Sequence, residues 1–211
     1  MIHWDVYLVT QASLSAGRTT DEIVADAIDG GVGVVQLREK DRTARERYEL
    51  GRELRELTRE AGVTFVINDR VDIAQALDAD GVHLGDDDLP VSVARDLLGD
   101  DALIGRSVST VEDAEAAAAA GADYLGVGAV FPTGSKDDID DDEYAVGTDR
   151  VAAIAEAVDI PFVGIGGVTA ENATEVVEAG ADGVAVITAI TQADDPAAAT
   201  EALQHATERG R

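Results

Sequence analysis

Lysine is almost absent from this 211-residue chain: of 16 basic residues, 14 are arginine, and the two lysines are Lys40 and Lys136. Each closes a polar cluster that follows an apolar run. Lys40 ends Val-Val-Gln-Leu-Arg-Glu-Lys (34–40), where Gln36, Arg38 and Glu39 precede it. Lys136 ends Phe-Pro-Thr-Gly-Ser-Lys (131–136). Lysines merely tolerated by the chain would scatter over its surface. A compact ammonium with three donors suits a phosphoryl oxygen. Two further groups invite phosphate chemistry. Asp69 and the run Asp86-Asp87-Asp88 supply carboxylates, and Mg²⁺ typically takes one or two carboxylates plus substrate phosphates. Gly-Ile-Gly-Gly-Val (164–168) lets backbone N–H groups approach an anion closely, or simply forms a turn at positive φ. The carboxylates need caution, because about one position in five is Asp or Glu. Composition does not say which of the three aspartates turns inward, and Asp69 also reads as the cap of a helix starting near Val71.

Short apolar runs alternate with amphipathic segments and must position these groups. The runs cover 6–9, 32–37, 64–67, 81–84, 103–105, 124–127, 162–165 and 183–187. Rich in Val and Ile and bounded by Gly or Asp, most read as buried parallel strands. Between them, Thr43-Ala44-Arg45-Glu46 is a capping-box pattern, continued by Leu50, Leu54, Leu57 and Ala61 on one helix face. Thr19 and Glu22 open another helix and Gly30-Gly31 closes it. Pro196 suits the first turn of the last helix. Ala-Gly-Ala-Asp recurs at 120–123 and 179–182, each time leading into an apolar run. Eight such units in one domain spanning 1–211 predict a single-domain α/β protein, a (β/α)8 TIM barrel. A doubly wound open sheet is the rival, but no Gly-x-Gly-x-x-Gly opens a helix after the first run. In a barrel the active site lies where the strands end, and the polar residues named above gather there, joined by Asn68, His83, Ser107 and Ser109.

Composition excludes several functions. A formal net charge of −27 spread along the chain argues against nucleic acid and anionic membranes as partners. With lysine so scarce, it points to adaptation to high salt, where net charge maintains solubility. There is no cysteine, so disulfides, thiolate metal sites and a thiol nucleophile are out. The opening residues lack a signal-peptide pattern and no run approaches a membrane span, so a cytoplasmic protein is expected. His83 lacks a second His or Cys at ligand spacing and reads as a packed strand-end residue. Trp4 and Tyr7 read as packing on the first strand, and Tyr124 as core or as a ring contact.

Taken together the motifs resemble the thiamine phosphate synthase family. The resemblance runs from about Tyr7 to Ile190 and rests on Val-Gln-Leu-Arg-Glu-Lys (35–40), Ile-Asn-Asp-Arg (67–70), Asp-Gly-Val-His-Leu-Gly-Asp-Asp-Asp-Leu-Pro (80–90), Ile-Gly-Arg-Ser (104–107), the stretch from Gly121 to Lys136, Gly-Ile-Gly-Gly-Val (164–168) and 180–190. Each is weak alone; their order and spacing carry the match. The resemblance implies joining an aminopyrimidine methyl diphosphate to a thiazole phosphate ethanol, with release of pyrophosphate. It implies that Gln36, Leu37, Arg38, Glu39, Lys40, Asn68, Ser107 and Lys136 hold the pyrimidine diphosphate. Arg38, Lys40, Ser107 and Lys136 would be the catalytic groups. Asp69 and Asp88 would bind the Mg²⁺ cofactor, and Thr133, Gly134, Ser135, Gly167, Ile187 and Thr188 the thiazole phosphate. Asp86, Asp87, Ser135, Thr188 and Arg106 depart from the family pattern, and the acidic stretch 137–143, a candidate lid, is an addition to it.

The implied reaction is dissociative. The diphosphate leaves, the electron-rich pyrimidine stabilises the methylene cation, and the thiazole nitrogen attacks. No protein nucleophile is required, in keeping with a chain without cysteine or a triad. The competing readings are a thiazole tautomerase-like relative, an isomerase or aldolase on a phosphate-binding barrel, and a non-catalytic sensor of phosphorylated ligands. The sequence leaves the oligomeric state open, and a homo-oligomer is compatible with it.

Overall fold

The computed structural model describes residues 2–134 and 145–211. Eight parallel strands close into a barrel in sequence order, each paired with the next and the last with the first. They are β1 (Val6–Val9), β2 (Val34–Leu37), β3 (Thr64–Asn68), β4 (Gly81–Leu84), β5 (Leu103–Val108), β6 (Tyr124–Gly128), β7 (Phe162–Ile165) and β8 (Gly183–Val186). The intervening helices are α1 (Thr20–Asp29), α2 (Ala44–Ala61), α3 (Val71–Leu77), α4 (Val91–Leu98), α5 (Val111–Ala119), α6 (Gly147–Ala157), α7 (Ala173–Glu178), the short α8 (Thr188–Thr191) and α9 (Pro196–Arg209). The TIM-barrel expectation holds, and the strands fall on the apolar runs.

The caps form where the sequence put them. Thr43 N–H donates to Glu46 Oε2 (2.8 Å), and Glu46 N–H donates to Thr43 Oγ1 (3.3 Å). Thr19 N–H donates to Glu22 Oε2 (3.0 Å), and Asp195 Oδ1 accepts from Ala198 N–H (3.0 Å) ahead of Pro196. One detail of α2 differs. Leu50, Gly51, Leu54 and Thr58 are buried, whereas Ala61 is exposed, because the helix ends at once in left-handed Gly62. At Gly51 a Cβ would lie 2.4 Å from Leu77 Cδ1, so the missing side chain lets α2 approach α3.

Alternation along the strands sorts side chains into two layers. Val6 and Leu8, Val35 and Leu37, Phe65 and Ile67, Val82 and Leu84 face the helices and form the larger apolar cluster. Tyr7, Val9, Val34, Val66, Tyr124, Val163, Ala185 and Ile187 fill the barrel interior. Trp4 packs beneath this inner layer, its ring 4.8 Å from that of Tyr124.

The repeated Ala-Gly-Ala-Asp has a physical role at the amino end of the barrel. Asp123 Oδ2 accepts from Ile104 N–H at the start of β5 (2.7 Å), and Asp182 Oδ2 accepts from Phe162 N–H at the start of β7 (2.9 Å). Asp80 does the same for Phe65 N–H of β3 (2.7 Å). Two of these carboxylates also take an arginine from a helix: Arg55 on Asp80 (2.8 and 3.0 Å) and Arg95 on Asp123 (2.5 Å). Each device ties an odd strand to the even strand after it. Asp80→Ala leaves a strand N–H and a largely buried guanidinium without their acceptor. It should lower unfolding stability by about 2 kcal/mol in denaturant titration, against less than about 0.5 kcal/mol for the exposed Asp101→Ala.

Candidate active site

Inward parity places Gln36, Asn68, His83 and Ser107 at the carboxyl mouth of the barrel, around a cavity of about 250 Å³. Tyr7 and Val9 close one side, and Val163, Ile165, Ala185 and Ile187 another. The loops after β2, β3 and β4 add Arg38, Lys40, Asp69, Asp87 and Asp88. A second cavity of about 330 Å³ adjoins it, lined by Pro132, Thr133, Gly134, Gly166, Gly167 and Thr188 among others. Ile165, Ala185 and Ile187 border both.

The first cavity collects charge of both signs. Lys40 Nζ lies 3.7 Å from Asp69 Oδ2. Asp69 has a left-handed backbone (φ 62°) and turns its carboxyl toward Asp88 rather than capping α3, whose N-cap position is held by Arg70. Burial, reinforced by the Asp88 carboxylate facing it, pushes the Asp69 carboxyl up to about 6, while Lys40 and Arg38 pull it partly back. Asp88 Oδ2 accepts from Gly85 N–H (2.6 Å), which holds it against the loop. Asp86 turns away and accepts from Arg106 Nη2 (2.6 Å), while Arg106 Nη1 reaches Leu84 O (3.3 Å). Two departures from the family pattern thus pair with one another outside the cavity. Arg38 Nη1 donates to Gln11 Oε1 (2.8 Å), and the Asn68 Nδ2 amide is buried in the cavity wall with no hydrogen-bond partner among the described residues.

Two residues implied by the resemblance lie elsewhere. Leu37 has outward parity and packs in the strand–helix layer. Glu39 folds back from the cavity: its carboxylate accepts from Ala12 N–H (2.9 Å) and from Thr20 Oγ1 (3.1 Å), tying the loop after β1 to α1. Ser135 and Lys136, with the acidic stretch 137–143, lie outside the described residues. In the second cavity, Gly166 (φ 98°) and Gly167 (φ 63°) occupy the left-handed region. A Cβ on Gly167 would lie 2.5 Å from Pro132 O, so both conformation and close approach require glycine.

Sequence reasoning missed the polar chain that runs through the wall of the first cavity and through the buried Tyr124 behind it. Gln36 Nε2 donates to Tyr7 OH (2.7 Å), Tyr7 OH meets Tyr124 OH (2.9 Å), Tyr124 OH meets His83 Nδ1 (3.0 Å), and His83 Nε2 meets Ser107 Oγ (2.9 Å). The signal was faint: inward parity of all five and a glycine at 105, where a Cβ would strike the Tyr124 ring at 2.1 Å.

A closed parallel barrel with convergent polar and charged groups at its carboxyl mouth defines the class, a (β/α)8 enzyme acting at that rim. The family model described as thiamine monophosphate synthase matches residues 6–190. The chain is 85% identical to a thiamine-phosphate synthase of Haloarcula marismortui over 211 residues, the full length of both. It is 64% identical to one of Natronomonas pharaonis, over 96% of this chain and 94% of the other. A solved structure of thiamine phosphate pyrophosphorylase from Pyrococcus furiosus superposes with a TM-score of 0.88 at 42% identity, covering 98% of this chain and 96% of the other. The chain belongs to the thiamine monophosphate synthase family and is a transferase.

Burial raises the Tyr7 phenol from 10.0 to about 12, against the opposing effect of its contacts with Tyr124 and Gln36, and raises Tyr124 in the same direction. The folded state therefore holds the phenol proton more tightly than the unfolded chain. This contribution is complete below the unfolded value of 10.0 and is lost as pH rises through about 12. Denaturant titrations from about pH 9 upward should show stability falling over that window, with about 3 kcal/mol from Tyr7 alone, and a shallower fall in Tyr7→Phe.

Proposed function

We propose that the chain joins an aminopyrimidine methyl diphosphate, bound in the first cavity, to a thiazole phosphate ethanol, bound in the second, giving thiamine phosphate and pyrophosphate. The bond from the methylene carbon to the diphosphate oxygen breaks, and pyrophosphate leaves with the electron pair. The thiazole nitrogen lone pair then forms the new carbon–nitrogen bond. Arg38 and Lys40 stabilise charge growing on the leaving group, and the walls hold the two rings for attack. Lys136 adds a third cation in this reading. The Asn68 amide, buried in the wall without a partner among the described residues, supplies a donor suited to a bound anion.

The observation that carries the reading is the carboxylate pair. Asp69 and Asp88 are held facing each other against their own repulsion, beside Lys40 and Arg38. Such a pair suits a hard divalent cation. Among the described residues no group of three or more His, Cys, Asp or Glu is placed to hold a metal. That fits Mg²⁺, which takes its remaining ligands from phosphate and water. Asp69 and Asp88 would hold it, and when bound it would neutralise diphosphate charge.

The second cavity fits the thiazole phosphate. Backbone at Gly167 and Thr188 after β7 and β8 is where parallel barrels commonly bind phosphate, with Thr133 and Gly134 also lining the cavity; Ser135, outside the described residues, keeps the role the resemblance implies. A tautomerase-like enzyme or a sensor would need only this cavity, so the charged first cavity favours the synthase. An aldolase would need a lysine within reach of a carbonyl for a Schiff base, yet Lys40 lies on a loop paired with Asp69. The charge of −27 and the scarcity of lysine fit work at high salt. At about 1 M the Debye length is near 3 Å, so contact pairs at the mouth outweigh long-range repulsion of anionic substrates.

Kinetics of two variants test the assignment of the half-sites. Lys40→Ala should lower kcat by about 100-fold or more with an unchanged unfolding midpoint, because a half-exposed pair contributes less than about 1 kcal/mol. Gly167→Ala should raise KM for the thiazole phosphate alone. Wild-type turnover in Lys40→Ala, or equal KM changes for both substrates in Gly167→Ala, would contradict the reading.

A further inference from the structure

Five polar side chains cross the interior of an otherwise apolar barrel core, and only the two at its ends, Gln36 and Ser107, have a role implied by the family resemblance. Gln36 on β2 and Ser107 on β5 both line the first cavity. Between them lie Tyr7, Tyr124 and His83, linked by consecutive contacts of 2.7, 2.9, 3.0 and 2.9 Å. Tyr124 is buried to 0% exposure and Tyr7 to 1%. Apolar side chains of similar volume would fill this space without desolvating five polar groups, an exchange that is often neutral or stabilising. Packing therefore does not account for the chain.

We propose that this chain is a polarity relay, in which His83 is a positioning residue that sets the donor and acceptor pattern shown to the pyrimidine. The proposal rests on the pyrimidine reading of the first cavity. Its logic is proton counting. A hydroxyl has one proton to give, and a neutral imidazole has one. Gln36 Nε2 is the donor at one end, so Tyr7 accepts there and gives its proton to Tyr124. Tyr124 then gives its proton to His83 Nδ1, which must be the bare nitrogen. His83 Nε2 carries the imidazole proton and donates to Ser107 Oγ. Among the described residues Ser107 Oγ has no other hydrogen-bond partner, so its own proton is left for the cavity.

The ends are consequently coupled. Gln36 Oε1 faces the ligand as an acceptor while Ser107 faces it as a donor. Reversing the chain would flip the Gln36 amide and move the His83 proton to Nδ1. It would also exchange acceptor for donor at both walls. The polarity shown here matches an amino-substituted nitrogen heterocycle that gives a proton from its amino group and accepts one at a ring nitrogen. A ring with an oxo group in place of the amino group offers an acceptor where Gln36 Oε1 already is one. A site of fixed polarity rejects such an analogue, because the mismatched groups are left unpaired.

The relay is tested first without substrate. Long-range ¹H–¹⁵N spectra of histidine-labelled protein, assigned with His83→Gln, should show His83 protonated at Nε2 and bare at Nδ1. In Tyr124→Phe, which keeps the ring against Trp4, the two tautomers should mix. A wild-type His83 protonated at Nδ1 overturns the proposal. Kinetics then test its use. Tyr124→Phe should raise KM for the aminopyrimidine methyl diphosphate by about 10-fold, about 1.4 kcal/mol, with KM for the thiazole phosphate unchanged. His83→Gln, which keeps a donor near the Nε2 position, should retain more activity than His83→Ala. Trp4 fluorescence and the unfolding midpoint report whether each variant is folded, and Tyr7→Phe provides a second break in the chain if Tyr124→Phe is not. A folded variant with both KM values unchanged, or with both raised equally, overturns the positioning role. If the wild type makes no thiamine phosphate, the pyrimidine reading fails, while the tautomer spectra still decide the relay's polarity.

Discussion

Side chains on a strand alternate between two faces, and closing eight parallel strands into a ring turns that alternation into a sorting rule for the whole molecule. One face meets the helices and must be apolar. The other meets only the barrel axis and, at the carboxyl end, the cavity. Gln36 reaches the cavity and Leu37 does not for this reason alone, although they are neighbours in one motif. The same rule sends Ser107 inward and Arg106 outward to Asp86. It brings Tyr7, His83 and Tyr124, far apart in sequence, within hydrogen-bond reach of one another.

Electrostatics refine what parity places. A chain with net charge −27 has few cations to position. Arg38 and Lys40 border the same cavity as Asp69, Asp87 and Asp88, so charges of both signs meet locally. Glu39, between those two cations in sequence, would add another negative charge at the mouth. Its carboxylate instead folds into the loop after β1, where two protein donors satisfy it. A cluster that reads as one polar segment in the sequence is divided by the fold between binding surface and scaffold.

The barrel was legible because its signals are local. Apolar runs, capping boxes at Thr19 and Thr43, and a proline after Asp195 each need only a few neighbouring residues. Much of the mouth was legible too, since residues just past an apolar run fall on the rim of any parallel barrel. Other features were hidden because they depend on contacts distant in sequence. That Asp86 turns outward while Asp87 and Asp88 line the cavity depends on Arg106 from the next strand and, for Asp88, on the Gly85 N–H. The carboxylates of Asp123 and Asp182 that cap β5 and β7 at the amino end were visible only as an unexplained repeat. The polar chain from Gln36 to Ser107 has no sequence motif; its members share parity and depth, and a glycine at 105 makes room for a ring. Reading Tyr7 and His83 as packing residues captured their burial and overlooked their hydrogen bonds.

In the proposed reaction, two adjoining half-sites bring two phosphorylated substrates together for substitution. It is tested most directly by measuring pyrophosphate release in high KCl with both substrates, then with each omitted in turn, with and without Mg²⁺. Mg²⁺-dependent release is expected only when both are present, with thiamine phosphate formed in equal amount. Binding of the thiazole phosphate with no release of pyrophosphate would contradict it.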